Sequence, residues 1–201
     1  MKRVGVLALQ GAFAEHMEVL RRLGVEAVPV RVTHELDGLG GLIIPGGEST
    51  TIGKLMVEYG FPRALQRLIK SGLPILGTCS GMILLADRIR GYEQTLLRAM
   101  DMEVSRNAFG RQVDSFEVDL QVPVLGSPPF HAVFIRAPRI ESVGKGVEVL
   151  ATLPNGNAVA ARQGNLIALA FHPELTDDTR FHQFFLSSVA ERAQASSEET
   201  R

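Results

Sequence analysis

Four short apolar runs, Val4–Leu9, Ala27–Val32, Gly41–Ile44 and Pro74–Gly77, alternate with segments whose apolar residues recur at helical spacing. Phe13, Met17, Leu20 and Leu23 mark the first helix, and Gly24 stops it. Ile52–Tyr59, Pro62–Lys70 and Met82–Arg88 read as further helices, with Pro62 suited to a first turn. Strands that are apolar throughout are covered on both faces, so the first 90 residues predict a parallel sheet with helices on each side. Ligands of such sheets gather beyond the carboxyl ends of the strands. The segments after Leu9, Ile44 and Gly77 therefore come first in any search for function.

The second half changes period. Ser115–Val122 sets Phe116, Val118 and Leu120 against Glu117, Asp119 and Gln121, the alternation of a half-buried strand. Ala132–Ile135, Val147–Leu153, Ala158–Arg162 and Leu166–Phe171 also read as strands, and Asn155-Gly156 is a turn signal between two of them. A last helix over about Asp178–Arg192 carries Phe181, Phe184, Phe185 and Val189 inward. With no repeat or linker, the expected architecture is a single-domain α/β three-layer sandwich over residues 1–193. The sheet is mainly parallel, its C-terminal half is strand-rich, and a polar tail at 194–201 is expected to be disordered.

Composition excludes several classes. Basic and acidic residues number 21 and 22, so there is no surplus of positive charge to neutralise nucleic-acid phosphates. The lone cysteine, Cys79, cannot form an internal disulfide, and one Cys with five scattered His fits no structural zinc spacing. Met1-Lys2-Arg3 followed by Val4–Leu9 superficially suggests a leader, but Gln10-Gly11 break the run after six residues and Glu15-His16 follow at once. No run approaches a membrane span, and the expected location is the cytoplasm.

Gly77-Thr78-Cys79-Ser80-Gly81 is the sharpest chemical signal. A glycine, a nucleophile and a second glycine at alternate positions, between an apolar strand and an apolar helix, form the sharp turn of a nucleophile elbow. Such a turn exposes the Cys79 sulfur at a helix N-terminus, where unpaired N–H groups favour thiolate, and it aims the Ser80 N–H at an oxyanion. The common fate of a free Cys is burial in the core; the flanking glycines argue otherwise here. His172-Pro173-Glu174 ends another apolar strand. Residues i and i+2 of extended chain point the same way, so the Glu174 carboxylate can fix the imidazole tautomer while His172 faces the sulfur. His16, His34, His131 and His182 have no such company and are read as structural. In Pro45-Gly46-Gly47-Glu48-Ser49-Thr50, two glycines let backbone N–H groups approach a ligand, which suits an oxyanion donor at Gly47. A phosphate loop fails on spacing, and Lys54 is followed by Leu55.

In that order, G-G-E, G-x-C-x-G and H-P-E resemble the triad-type class I glutamine amidotransferases. Leu7–Gly11, Pro45–Thr51, Gly77–Ala86, Ser105–Gln112, Asp114-Ser115-Phe116, Phe134–Pro138 and Phe171–Leu175 are similar to the glutaminase subunits of pyridoxal 5'-phosphate synthases. The resemblance covers Val4 to about Phe185, and the R-N-x-F-G-R-Q segment is its discriminating piece. It implies Cys79 as nucleophile with His172 and Glu174 as partners. It also implies glutamine binding by Gly47, Glu48, Ser49, Arg106, Ile135 and Arg136. Ser80 departs from the alanine common at its position. The implied partner is a (β/α)8 synthase subunit that receives ammonia to build pyridoxal 5'-phosphate, and neither a metal nor a bound cofactor is required.

The expected reaction is hydrolysis of L-glutamine through a Cys79 glutamyl thioester. The partner is expected to touch the Gln10–His16 region, by way of Gln10, Gly11, Glu15 and His16, and so to switch the Gly46-Gly47 loop into its competent state. Two other readings of the same residues stand beside it: a cysteine hydrolase or peptidase that does not use Arg106 as a carboxylate clamp, and a non-catalytic regulatory module with Cys79 in its core.

Overall fold

A computed structural model describes residues 3–106 and 115–198. Asn107–Gln112, which carry most of the discriminating segment, and Asp114 lie outside the described residues. The elements in chain order are β1 (Val4–Leu7), α1 (Phe13–Arg22), β2 (Ala27–Val30), β3 (Gly41–Ile44), α2 (Ser49–Glu58), α3 (Phe61–Lys70), β4 (Ile75–Thr78), α4 (Ser80–Leu85) and β5 (Ala86–Ile89). They continue with β6 (Met100–Ser105), β7 (Ser115–Leu120), β8 (Phe130–Ile135), β9 (Arg139–Val143), β10 (Glu148–Thr152), β11 (Ala158–Gln163), β12 (Leu166–Leu169) and α5 (Arg180–Glu198).

The main sheet runs β2-β1-β3-β4-β12-β11-β9-β6-β5, with β10 added on β11. From β2 to β12 every pairing is parallel; β11 and β9 then run antiparallel to their neighbours. The chain moves one way along the sheet from β1 to β2 and the other way from β3 to β4, so right-handed crossovers put α1 and the α2–α3 pair on opposite faces. α5 joins α1: Leu23 and Val25 share a groove with Leu186 and Val189. The three-layer α/β sandwich expected from the sequence is thus observed.

Several boundaries differ from the sequence reading, each for a physical reason. The apolar run from Met82 suits helix or strand equally; it forms helix only to Leu85 and then turns into the short strand β5, which pairs with β6. β6 and β9 are not among the strands expected from the sequence, although Met100, Met102 and Val104 alternate with Asp101 and Glu103 in the burial pattern of a strand. α2 begins at Ser49 rather than Ile52, because the Glu48 side chain accepts from Thr50 and caps the helix one turn earlier. α5 continues to Glu198, through most of the expected polar tail, since no Gly or Pro interrupts the chain after Arg180.

β7 and β8 form a separate antiparallel ribbon. Phenylalanines fasten it to the domain. Phe116 stacks on Phe134 with centroids 4.5 Å apart, Phe134 lies 5.4 Å from Phe171, and Phe130 meets Phe181 edge-on at 4.8 Å. Phe130, Phe134, Phe171 and Phe181 are fully buried, each contributing about 1.5–3 kcal/mol of burial. The cluster stands directly beside His172, whose N–H donates to the Val133 carbonyl of β8 at 2.9 Å.

Candidate active site

The elbow read from the glycine spacing is present. Cys79 links β4 to α4 with φ 49° and ψ −104°, a region that non-glycine residues rarely occupy. Its N–H is held by the Leu169 carbonyl of β12 at 2.7 Å. Both flanking glycines are required by close approach. A Cβ on Gly77 would lie 2.7 Å from the Gly81 carbonyl carbon, and one on Gly81 would run into the Ile44 carbonyl of β3.

His172 and Glu174 follow β12 at the same end of the sheet. His172 Nδ1 and Glu174 Oε1 are 2.7 Å apart, and both residues are buried. Burial pulls the His172 pKa down. Hydrogen bonds to Cys79 and Glu174, and the negative charge of both, outweigh it and push the ring up to about 10. Burial likewise raises Glu174, but the facing His16 and His172 rings bring it below the usual carboxylate range. A charged imidazole between a thiol and a carboxylate is the arrangement for nucleophilic attack followed by proton delivery to a leaving group.

A cavity of about 290 Å³ opens over Cys79, at the small end of the range for small-molecule sites. Gly47, Glu48, Ser49, Cys79, Ser80, Arg106, Ile135, Arg136 and His172 all line it, so every catalytic or binding position expected from the sequence meets here, with Glu174 directly behind His172. Glu48 organises the polar end. Its Oε1 receives Arg106 at 2.7 Å and the Thr50 hydroxyl at 2.9 Å, while Arg136 approaches Oε2 at 4.0 Å. Burial raises the Glu48 pKa, but Thr50 and Arg106 hold it below the ordinary value. Arg136 sits at φ 42°, a second strained backbone position in the site.

Three features went unread in the sequence. Tyr92 supports Arg106 in a cation–π contact at 4.8 Å, and Gln94 accepts from the Ser49 hydroxyl at 3.0 Å; both lie in a segment without periodicity. The Ser80 hydroxyl donates to the Gly47 carbonyl, so this residue contributes a side chain as well as its backbone.

The expected partner-facing residues divide. Gly11 and Glu15 are exposed. Gln10 instead lines the cavity, where its Oε1 accepts from the Glu48 N–H at 2.8 Å. His16 is a correction: it is fully buried and cannot meet a partner. Position i+3 from Phe13 turns it inward on α1, toward His182 and Glu174. His182 is buried as well, and its Nε2 lies 3.0 Å from His16 Nδ1, a contact that the positions of the two residues in the sequence do not show.

A nucleophile elbow, a His–Glu pair and a cavity with two arginines and a carboxylate, at the carboxyl ends of parallel strands, define a cysteine-dependent amidotransferase-type site. The sequence matches the SNO glutamine amidotransferase family over residues 6–191, and the chain belongs to that family. It is 58% identical, over 187 residues, to the pyridoxal 5'-phosphate synthase subunit PdxT of Moorella thermoacetica, an alignment covering 93% of this chain and 99% of that one. The PdxT of Herpetosiphon aurantiacus is 60% identical over 186 residues, covering 91% and 98%. A crystal structure described as a glutamine amidotransferase superposes with TM-score 0.89 at 54% identity, covering 93% of this chain and 98% of that one. PurLQS from Thermotoga maritima shares the fold, with TM-score 0.70 at 16% identity over 93% and 99%.

No described helix is long and apolar enough to cross a membrane.

Proposed function

We propose that this chain is the glutaminase of a pyridoxal 5'-phosphate synthase. Cys79 Sγ attacks the side-chain carbonyl of L-glutamine, and the tetrahedral oxyanion is met by the N–H groups of Ser80 and Gly47. The carbon–nitrogen bond breaks as His172 delivers its proton to the departing nitrogen, giving ammonia and a γ-glutamyl thioester. His172, now neutral, takes a proton from water, whose oxygen displaces Cys79 and releases L-glutamate. Glu174 holds His172 in the tautomer both steps need. Arg106 pairs with the substrate α-carboxylate in a forked contact, and Glu48 meets the α-ammonium.

The observation that carries this reading is the elbow itself: Cys79 at φ 49° at the floor of a cavity whose other end holds Arg106 and Glu48. Family membership and the names of the relatives support it. Bulk water protonates ammonia and removes its nucleophilicity, so the product is best passed directly to a (β/α)8 synthase subunit docked over the strand ends.

Contacts between the Gly46-Gly47 loop and the start of α1 support a route for the partner to act. The Gly46 carbonyl accepts from Ala12 N at 3.0 Å, and Gln10 holds the Glu48 N–H. A subunit bound over exposed Gly11 and Glu15 acts on that loop through these bonds.

The test is steady-state ammonia release from L-glutamine against synthase concentration. Wild type is expected to be slow alone and activated by the synthase, Cys79→Ala to release none, and Glu15→Lys to need more synthase. Release at the wild-type rate by Cys79→Ala refutes the nucleophile. Full activity of the isolated chain refutes the activation.

A further inference from the structure

Behind the His172–Glu174 pair the interior holds three more polar side chains, all fully buried: His16 on α1, Thr78 at the end of β4 and His182 on α5. His16 Nε2 lies 3.1 Å from Thr78 Oγ1 and 3.3 Å from Glu174 Oε2, and His16 Nδ1 lies 3.0 Å from His182 Nε2. Glu174 Oε2, turned away from His172, makes no regular hydrogen bond among the described residues, its recorded contact being His16 Nε2 at 3.3 Å, and His182 Nδ1 makes none either. Fully buried polar atoms without partners are costly, so one arrangement of protons must account for both.

Only one does so with uncharged rings. If His16 carried its proton on Nδ1, the lone pair of Nε2 would face a carboxylate oxygen at 3.3 Å with no water between. With the proton on Nε2, that N–H donates to Thr78 Oγ1 and brings its positive end to within 3.3 Å of Glu174 Oε2. Nδ1 becomes an acceptor, His182 donates to it through Nε2–H, and the orphan His182 Nδ1 is a bare lone pair, the less costly kind of unsatisfied atom. Burial lowers the pKa of both rings, that of His182 to about 3, which favours their uncharged forms. The charged groups around His16 are Glu174 and His172 from the segment after β12 and Glu15 from its own helix; His182 also feels Arg22.

We propose that His16 is a positioning residue of this active site: it anchors the second oxygen of Glu174 through Nε2–H, in a relay running His182–His16–Glu174–His172–Cys79. Glu174 is then gripped at both oxygens, one by His172 and one by a helix on the other side of the chain. Free of the second grip, the carboxylate turns about its bond, stabilises the His172 imidazolium less, and the imidazolium in turn stabilises the Cys79 thiolate less. The inference rests on the reading of Cys79 as nucleophile but not on its substrate.

The experiment is the pH dependence of Cys79 alkylation by iodoacetamide in the isolated chain, which needs neither glutamine nor synthase. A Gln side chain places its amide N–H where His carries Nε2, and an Asn side chain reaches only to Nδ1. His16→Asn is expected to move the acid limb of the profile upward by about one pH unit, which slows alkylation about tenfold below the limb. His16→Gln is expected to recover most of that loss. Equal profiles for both variants, whether shifted or like wild type, overturn the proposal. Nitrogen-15 NMR of wild type gives a second reading that needs no variant: His16 is expected to be neutral with its proton on Nε2, and a proton on Nδ1 alone also overturns it. Absent ammonia release by wild type at saturating synthase would refute the glutaminase reading while leaving this comparison intact.

Discussion

Replacing Gly77 by alanine sets two effects of opposite sign against each other. Alanine in a strand interior is favoured over glycine by roughly 0.5–1 kcal/mol, because glycine loses more freedom on folding. Against that, the new Cβ would stand 2.7 Å from the carbonyl carbon and oxygen of Gly81 and from Leu85 Cδ1. Leu85 can rotate; the Gly81 backbone cannot. Ordinary contact begins at 3.4 Å, so the first turn of α4 must retreat by about 0.7 Å from β4. Gly81 also lies close over the Ile44 carbonyl of β3, the strand neighbour of Gly77, so the retreat loosens α4 from both strands at once. Overpacking of this kind costs about 1–3 kcal/mol, which exceeds the gain, and Gly77→Ala is expected to be net destabilised by about 1–2 kcal/mol. Cys79 sits between the two displaced elements. A misplacement approaching 1 Å costs on the order of 10²-fold in rate, so a 0.7 Å retreat is expected to lower turnover by at least roughly tenfold even in the folded fraction. Urea unfolding gives the stability, and ammonia release in the presence of synthase gives the rate. A variant as stable as wild type with unchanged turnover would refute the steric account of the elbow.

Three further outcomes are expected. His172→Asn is expected to lose at least about 10³-fold in turnover and Glu174→Gln less, since His172 moves protons and Glu174 only orients it; the reverse ranking in the same ammonia assay breaks the role assignment. Arg106→Ala is expected to raise KM for glutamine by about 10- to 100-fold with a smaller effect on kcat, the loss of its charged contact with the α-carboxylate; an unchanged KM returns the site to a hydrolase that does not clamp a carboxylate. The His172 pKa is raised from 6.5 to about 10, so the stability its imidazolium lends is fully present below pH 6.5 and disappears as the pH climbs through about 10. Cys79→Ala removes one of the two groups that raise it, with both its hydrogen bond and its charge, and the NMR titration of the ring is expected to fall to lower pH; identical midpoints in the two proteins contradict the thiol–imidazole pairing.

The parallel half of the sheet was legible because its strands are apolar on both faces and short enough to exclude other readings. Gly41–Ile44 has the same bounds in the sequence reading and in the structure. Glycine spacing made the elbow legible, since only close backbone approach demands residues without side chains at both 77 and 81. What could not be read is what depends on long-range company. His16 looks like any histidine on the face of an amphipathic helix, and its partners Thr78, Glu174 and His182 lie far along the chain. The elbow uses only the backbone of Ser80, and it is the approach of the Gly47 carbonyl, far along the chain, that gives the hydroxyl work. The apolar run after Gly81 carried no periodicity to separate helix from strand; pairing with β6 decided it at Ala86.

The order of strands also bears on how the chain comes into being. β4, which leads into the nucleophile, pairs with β3 on one side and β12 on the other, Ile75 facing Leu166 and Thr78 facing Leu169. While the chain is being synthesised from its N-terminus, β4 is finished long before its second neighbour exists. For that interval the middle of the future sheet is an edge, with unpaired N–H and C=O groups along an apolar strand, the feature that invites pairing with other chains. The base arrives with the same late segment, directly after β12. A chain interrupted before Leu166 therefore holds a thiol without its proton acceptor and a sticky edge without its cover, and closing that gap completes the sheet and the active site in one event.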